Sequence, residues 1–220
     1  MTRYRHLREV SLLCFLAISL CAFGQTEADP WLIVPEGGKG PLTQHTTHED
    51  LVRAFGAGNI AEQDGIEGMS GDMVYVTVLF PDDPERKIEI QWRGPEKIVP
   101  AFVTVSGDKS RWKATRNISL GISLKQLEQL NGKAFRLTGF EWDYSGTILS
   151  WENGSLAAGL DGGHGRVLVR LGSPPRKDIS EKELDQVAGD QPFSSHHPVM
   201  QKINPTAYEI TWEFPSWEQK

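Results

Sequence analysis

SLKQLEQLNGKAFRLTGFEWDYSGTILSW, residues 123–151, holds the clearest structural signals in the chain. Ser123 with Gln126 three positions on is a capping box, which satisfies two exposed N–H groups at a helix start. Leu124, Leu127 and Leu130 form the apolar stripe of that helix, and Gly132 after Asn131 supplies its exit. Beyond the glycine, Phe140, Trp142 and Tyr144 alternate with Glu141 and Asp143, and Leu149 and Trp151 resume the apolar side after Ser145-Gly146. That period of two predicts a hairpin, and Asn153-Gly154 signals another two-residue turn.

The first half of this pattern occurs again upstream. In THEDLVRAFG, residues 47–56, Thr47 caps a helix, Asp50 complements the exposed N–H groups, Leu51 and Phe55 share a face with Val52 close by, and Gly56 ends it. The interval from cap to glycine is the same in both, and Leu51 falls where Leu127 does. Matched caps, leucine and stop predict an internal duplication.

Strands are predicted after each helix. Val74–Phe80 is apolar at nearly every position, as in a strand covered on both faces. Ile88, Ile90 and Trp92 alternate with Lys87, Glu89 and Gln91, the pattern of a half-covered strand. Ile98–Val105 and Arg111–Arg116 are weaker, with Pro100 demoting part of the first to an edge. Arg166–Leu171 follows the glycine-rich DGGHG, and a short helix is expected near Ser180–Val187. Tyr208, Ile210, Trp212 and Phe214 alternate with polar residues and close a sheet begun elsewhere. The fold class is α+β: two related helix-plus-antiparallel-sheet modules, mostly antiparallel sheet, with few short helices. The expected organisation is a signal peptide (1–24), an extended arm (25–46) pinned by Trp31, Ile33 and Leu42, a first module (47–116), a second (117–172), a polar loop region (173–205) and a closing strand (206–214).

The leader sets the compartment. Arg3, Arg5 and Arg8 precede an apolar run from Leu12 to Ala22, too short for a membrane span, and small residues at Ala22 and Gly24 suit cleavage near Gly24. Secretion or a periplasmic location follows, with lipid anchoring at Cys21 the lesser reading because Leu20 precedes it. Cys14 and Cys21 both lie in the leader, so the mature chain carries neither disulfides nor a thiolate site. Losing three basic residues and one acidic residue leaves 20 basic against 28 acidic, a net charge of −8 in place of −6. Such a surface repels nucleic acid, and no apolar stretch remains to span a membrane.

The quoted segments carry a resemblance. GISLKQLEQLNG (121–132) and THEDLVRAFG resemble the helix starts of the tandem modules of β-lactamase-inhibitor proteins and of small outer-membrane-assembly lipoproteins, through Gly121-Ile122-Ser123 and the Asn131-Gly132 exit. LEQLNGKAFRLTGFEWDYSG resembles a group of exported bacterial proteins of unknown function. The first likeness implies a helix-plus-hairpin module. The inhibitory and docking residues of those families have no counterpart in this chain, and no activity follows from either likeness.

Chemistry-bearing residues are sparse. His45, His48 and Glu49 are the metal candidate, but HTTHE lacks the spacing of a zinc helix, and solvated histidines beside a cap explain it better. His196-His197 beside Ser194 and Ser195 lacks a nucleophile elbow. The run PEGGKGP lacks the Ser or Thr of a phosphate loop. Glu141, Asp143 and Glu152 would share an outer strand face, where paired acids serve glycoside hydrolysis but also mark any solvated strand. His164, with Asp161 in DGGHG, is a candidate ligand-binding position. Trp142, Tyr144 and Trp151 are the strongest, forming a binding patch if exposed and core if they face the helix. The expectation is a non-enzymatic binding protein for a protein or cell-envelope component, with no cofactor. A hydrolase acting on extracellular polymer and a structural envelope protein are the rival readings.

Overall fold

Both helix starts form as the sequence specifies. The computed structural model describes residues 29–34, 42–67, 73–160, 166–172 and 178–215. Helix α1 (His48–Phe55) opens on a reciprocal box in which the Asp50 amide donates to the Thr47 hydroxyl and the Thr47 amide donates to the Asp50 carboxylate, each at 3.1 Å. Helix α2 (Leu124–Asn131) repeats the device with Ser123 and Gln126. Gly56 and Gly132 follow with φ of 82° and 75°, a region open to glycine at little cost, though only Gly132 is left-handed helical. Leu51 and Leu127 are both buried in one continuous apolar core. Leu130, expected in the stripe, is 43 % exposed, and Asn131 takes the buried position instead. Its side-chain amide donates to the carbonyls of Lys133 and Trp151, and its oxygen accepts from the Leu156 amide. A polar group is buried there because each of its atoms has a partner.

The strands in chain order are β1 (Ile60–Glu67), β2 (Met73–Leu79), β3 (Ile88–Trp92), β4 (Pro100–Ser106), β5 (Lys113–Ala114), β6 (Ile118–Ser119), β7 (Arg136–Thr138), β8 (Ile148–Ser150), β9 (Arg166–Gly172), β10 (Pro192–Ser194) and β11 (Thr206–Glu213). Six of them form an antiparallel sheet in the order β1-β2-β3-β4-β11-β9. The first four are a meander. The closing strand then inserts between β4 and β9, completing a sheet begun more than a hundred residues earlier. β4 lies inside the sheet between β3 and β11 and is not the edge that Pro100 suggested; the proline is tolerated because it sits at the first position of the strand, where its missing N–H costs no ladder bond. A second antiparallel sheet runs β10-β7-β8, and β5 pairs with β6. Short helices α3 (Ala157–Leu160), α4 (Glu181–Leu184) and α5 (Pro198–Ile203) complete the described fold. The α+β class and the antiparallel sheet stand as expected. The two capped helices lead into different sheets, and β9 and β11 join the strands that follow α1.

The amino-terminal arm is pinned as predicted. Ile33 and Leu42 are buried, Trp31 meets Trp112 edge-on at 5.3 Å, and Leu32 bridges to Lys113.

Three local expectations are corrected. Residues 139–147 form a loop between β7 and β8 in place of a strand, so Phe140, Trp142 and Tyr144 do not share a strand face. Asn153-Gly154 turns the chain into α3 and not into a returning strand, although Glu152 and Asn153 do take positive φ. Tyr208 leaves the apolar face of β11 because the β9 register shifts between Ala207 and Glu209, while Ile210, Trp212 and Phe214 stay buried.

Candidate functional site

The loop between β7 and β8 is held at both feet by glycines that nothing larger could replace. A Cβ on Gly139 would lie 2.3 Å from the Val187 carbonyl oxygen, and one on Gly146 1.8 Å from that of Leu171. The Gly146 amide donates to the Gly139 carbonyl at 3.0 Å, closing the feet on each other. Outward bonds fix them to neighbouring elements: Phe140 N–H to the Val187 carbonyl, Gly189 N–H to the Phe140 carbonyl and Leu171 N–H to the Gly146 carbonyl, each at 2.9 Å. The Tyr144 carbonyl accepts from the hydroxyls of Thr138 and Thr147 at 2.9 and 2.8 Å. A loop with this many internal bonds loses little further freedom when a partner binds.

This frame presents Trp142 and Tyr144. Their rings meet edge-to-face with centroids 5.5 Å apart, Trp142 half-buried and Tyr144 41 % exposed. The indole N–H donates to the Gly139 carbonyl at 3.3 Å, which sets the ring's orientation. Arg170 on β9 links the loop to the large sheet. Its guanidinium donates to the Asp143 carbonyl at 2.6 Å, pairs with Glu209 at 3.2 Å and lies over the Tyr208 ring at 5.3 Å. The register shift that displaces Tyr208 from the core leaves it 38 % exposed beside Arg170. Partial burial pushes its phenol above the usual range, with Arg170 opposing the shift. Arg170 thus connects Tyr208 on β11 to the backbone of the loop that carries Trp142 and Tyr144. Trp151, expected in the same patch, is core: it is buried and packs on Phe135 at 5.1 Å. His164 lies outside the described residues.

The other candidate groups are held by internal partners. His48 Nε2 meets the Glu62 carboxylate at 2.6 Å, so it is not the freely solvated residue that the sequence suggests. Glu62 also receives Lys97 and the Thr77 hydroxyl, and Thr77 in turn accepts the Trp92 indole N–H at 2.8 Å. Glu49 lies 3.8 Å from Arg53, and His45 contacts the Gln44 amide at 3.1 Å. Among the described residues, no three His, Cys, Asp or Glu side chains gather to hold a metal. The chain from His48 to Trp92 escaped the sequence reading because it needs the Glu62–Thr77 cross-strand register, which no local signal states.

Ser195 is fully buried. Its hydroxyl donates to Glu128 at 2.6 Å and accepts the Phe135 amide at 2.9 Å, while Gln201 holds the other Glu128 oxygen at 2.7 Å. His197 caps α5, its Nδ1 accepting the Val199 amide at 3.2 Å, and His196 is exposed. These contacts lock α2 against α5 and pair the serine with a carboxylate in place of a histidine. Glu141 and Asp143 lie in the loop and Glu152 in the turn after β8, so the expected shared strand face for the three acids does not form.

No family model matches the chain, and no curated protein matches it in sequence. Among solved structures it is similar to the crystal structure of the uncharacterized protein yfeY from Escherichia coli, at 13 % identity over 78 % of this chain and 92 % of that one, with a TM-score of 0.41. Similarity at that level transfers no activity and no site. Among the described residues, no helix is long and apolar enough to cross a membrane.

Proposed function

We propose that this chain is an exported binding protein that takes a protein or cell-envelope component on the face formed by Trp142, Tyr144 and Tyr208. One observation carries the reading: the edge-to-face Trp142–Tyr144 pair stands partly exposed on a loop whose two glycine feet are closed on each other. Exposed aromatics with few internal degrees of freedom contribute more to binding per residue than other side chains, and Arg170 adds a cation of the kind enriched at such centres. Export is supported by the basic and apolar leader pattern of residues 1–24 and by the resemblance of residues 127–146 to exported bacterial proteins.

The test compares the wild type with the Trp142→Ala, Tyr144→Ala double variant, each immobilised and exposed to an isolated envelope extract. A component retained by the wild type and lost by an equally stable variant supports the reading. Identical retention by both overturns it.

A further inference from the structure

An open groove of about 910 Å³ runs between the turn Thr115–Asn117 and the outer face of α2, in the size range of small-ligand sites. It is separate from the aromatic loop, and three features distinguish it.

Arg116 and Asn117 are consecutive non-glycine residues with φ of 61° and 59°. Asparagine tolerates that region, but arginine seldom enters it, and such conformations persist where the surroundings impose them and cluster at binding sites. The turn is tied down by the Thr115 hydroxyl, which donates to the Gly159 carbonyl at 3.2 Å.

Hydrogen-bonding capacity is left over on the groove wall. Gln126 spends its carbonyl oxygen on the Ser123 cap, so its NH₂ is available. Among the described residues, no hydrogen bond or ion pair engages the side chains of Arg116, Asn117 or Gln129. The Glu62 and Glu128 clusters differ in being closed on themselves.

Charge and polarity are also one-sided. Among the described residues no carboxylate lines the groove, although acids outnumber bases in the chain by six. Leu130, 43 % exposed, and Leu120, half-buried, supply an apolar strip beside the amides.

We infer that this groove binds a short extended peptide segment, its apolar side chains on Leu120 and Leu130 and its free terminal carboxylate at Arg116. Asparagine and glutamine amides offer both donors and acceptors, matching a peptide backbone, and a guanidinium fits a carboxylate with two parallel bonds. Sugars are commonly held against an aromatic face, and among the described residues none that lines this groove is aromatic.

The probe is N-acetyl-Ala-Leu-Leu, titrated into isotope-labelled full-length protein as the free acid and as the carboxamide, with an N-acetylglucosamine trimer as the sugar arm. The free acid should move the side-chain amide signals of Asn117, Gln126 and Gln129 and bind about tenfold tighter than the carboxamide. Arg116→Glu should abolish that preference, and Leu130→Asp should weaken both peptides, each with an unchanged melting temperature. Arg116→Gly, which relieves the backbone at the turn, should melt no lower than wild type yet lose the acid preference. Equal affinity for acid and carboxamide, shifts from the trimer but not the peptides, or no shift at millimolar peptide would each overturn the inference.

Discussion

His48 and Glu62 meet at 2.6 Å across fourteen residues of chain, joining the first turn of α1 to the edge strand of the large sheet. Glu62 also takes Lys97, whose side chain is only 11 % exposed, and Thr77. The carboxylate is therefore the hub of a strap across three elements. Glu62→Gln should cost about 1–2 kcal/mol, more than a typical surface pair, because it removes at once the carboxylate charge that meets His48, the Thr77 hydroxyl and the largely covered Lys97 ammonium. Urea unfolding of wild type and variant would show it as a lower midpoint at constant slope.

Matched helix starts should respond alike. Thr47→Ala and Ser123→Ala each remove a hydroxyl that accepts from the third helical amide, and each should cost about 1 kcal/mol. A thermal-melt series with no loss in either variant would count against the caps.

Gly146 bears on the aromatic face directly. A methyl group there would sit 1.8 Å from the Leu171 carbonyl oxygen on a backbone already at φ 67°, so the loop foot must move. Gly146→Ala should destabilise by on the order of 3 kcal/mol. It should also alter the near-ultraviolet circular dichroism of the Trp142–Tyr144 pair before global unfolding begins.

Acid sensitivity has an assignable part. Lys202, at 2.6 Å, with the Ser180 amide and hydroxyl, holds the Glu183 carboxyl at about 2, below its ordinary 4.5. A folded-state value below the unfolded one means that the contribution is present in full above pH 4.5 and disappears as pH falls toward 2. The melting-temperature gap between wild type and Glu183→Gln should therefore be constant above pH 4.5 and close toward pH 2. A gap independent of pH would contradict the pairing.

What could be read in the sequence was local. Caps, exits, Leu51, Leu127 and the Ile88-Ile90-Trp92 face depend on residues a few positions apart, and the structure follows them. The misreadings have non-local causes. Phe140, Trp142 and Tyr144 alternate like a strand, but the Gly146 amide closes on the Gly139 carbonyl while Phe140 and Gly146 bond outward to Val187 and Leu171, which holds the segment as a loop. The turn at Asn153-Gly154 falls one residue early, with Glu152 and Asn153 at positive φ between Trp151 and Gly154, and Asn131 captures the Leu156 amide as the chain enters α3. Tyr208 follows the alternation until a register shift against β9 turns it outward. The aromatic face was half visible: Trp142 and Tyr144 stood out by type, while Arg170 and Tyr208 join them only through sheet pairing.

The most direct test of the binding face is backbone hydrogen exchange at residues 141–145, in the free protein and in the complex recovered from an envelope extract. Slower exchange at these amides in the complex is the predicted result. Unchanged exchange there, with protection gained on another face, would contradict it.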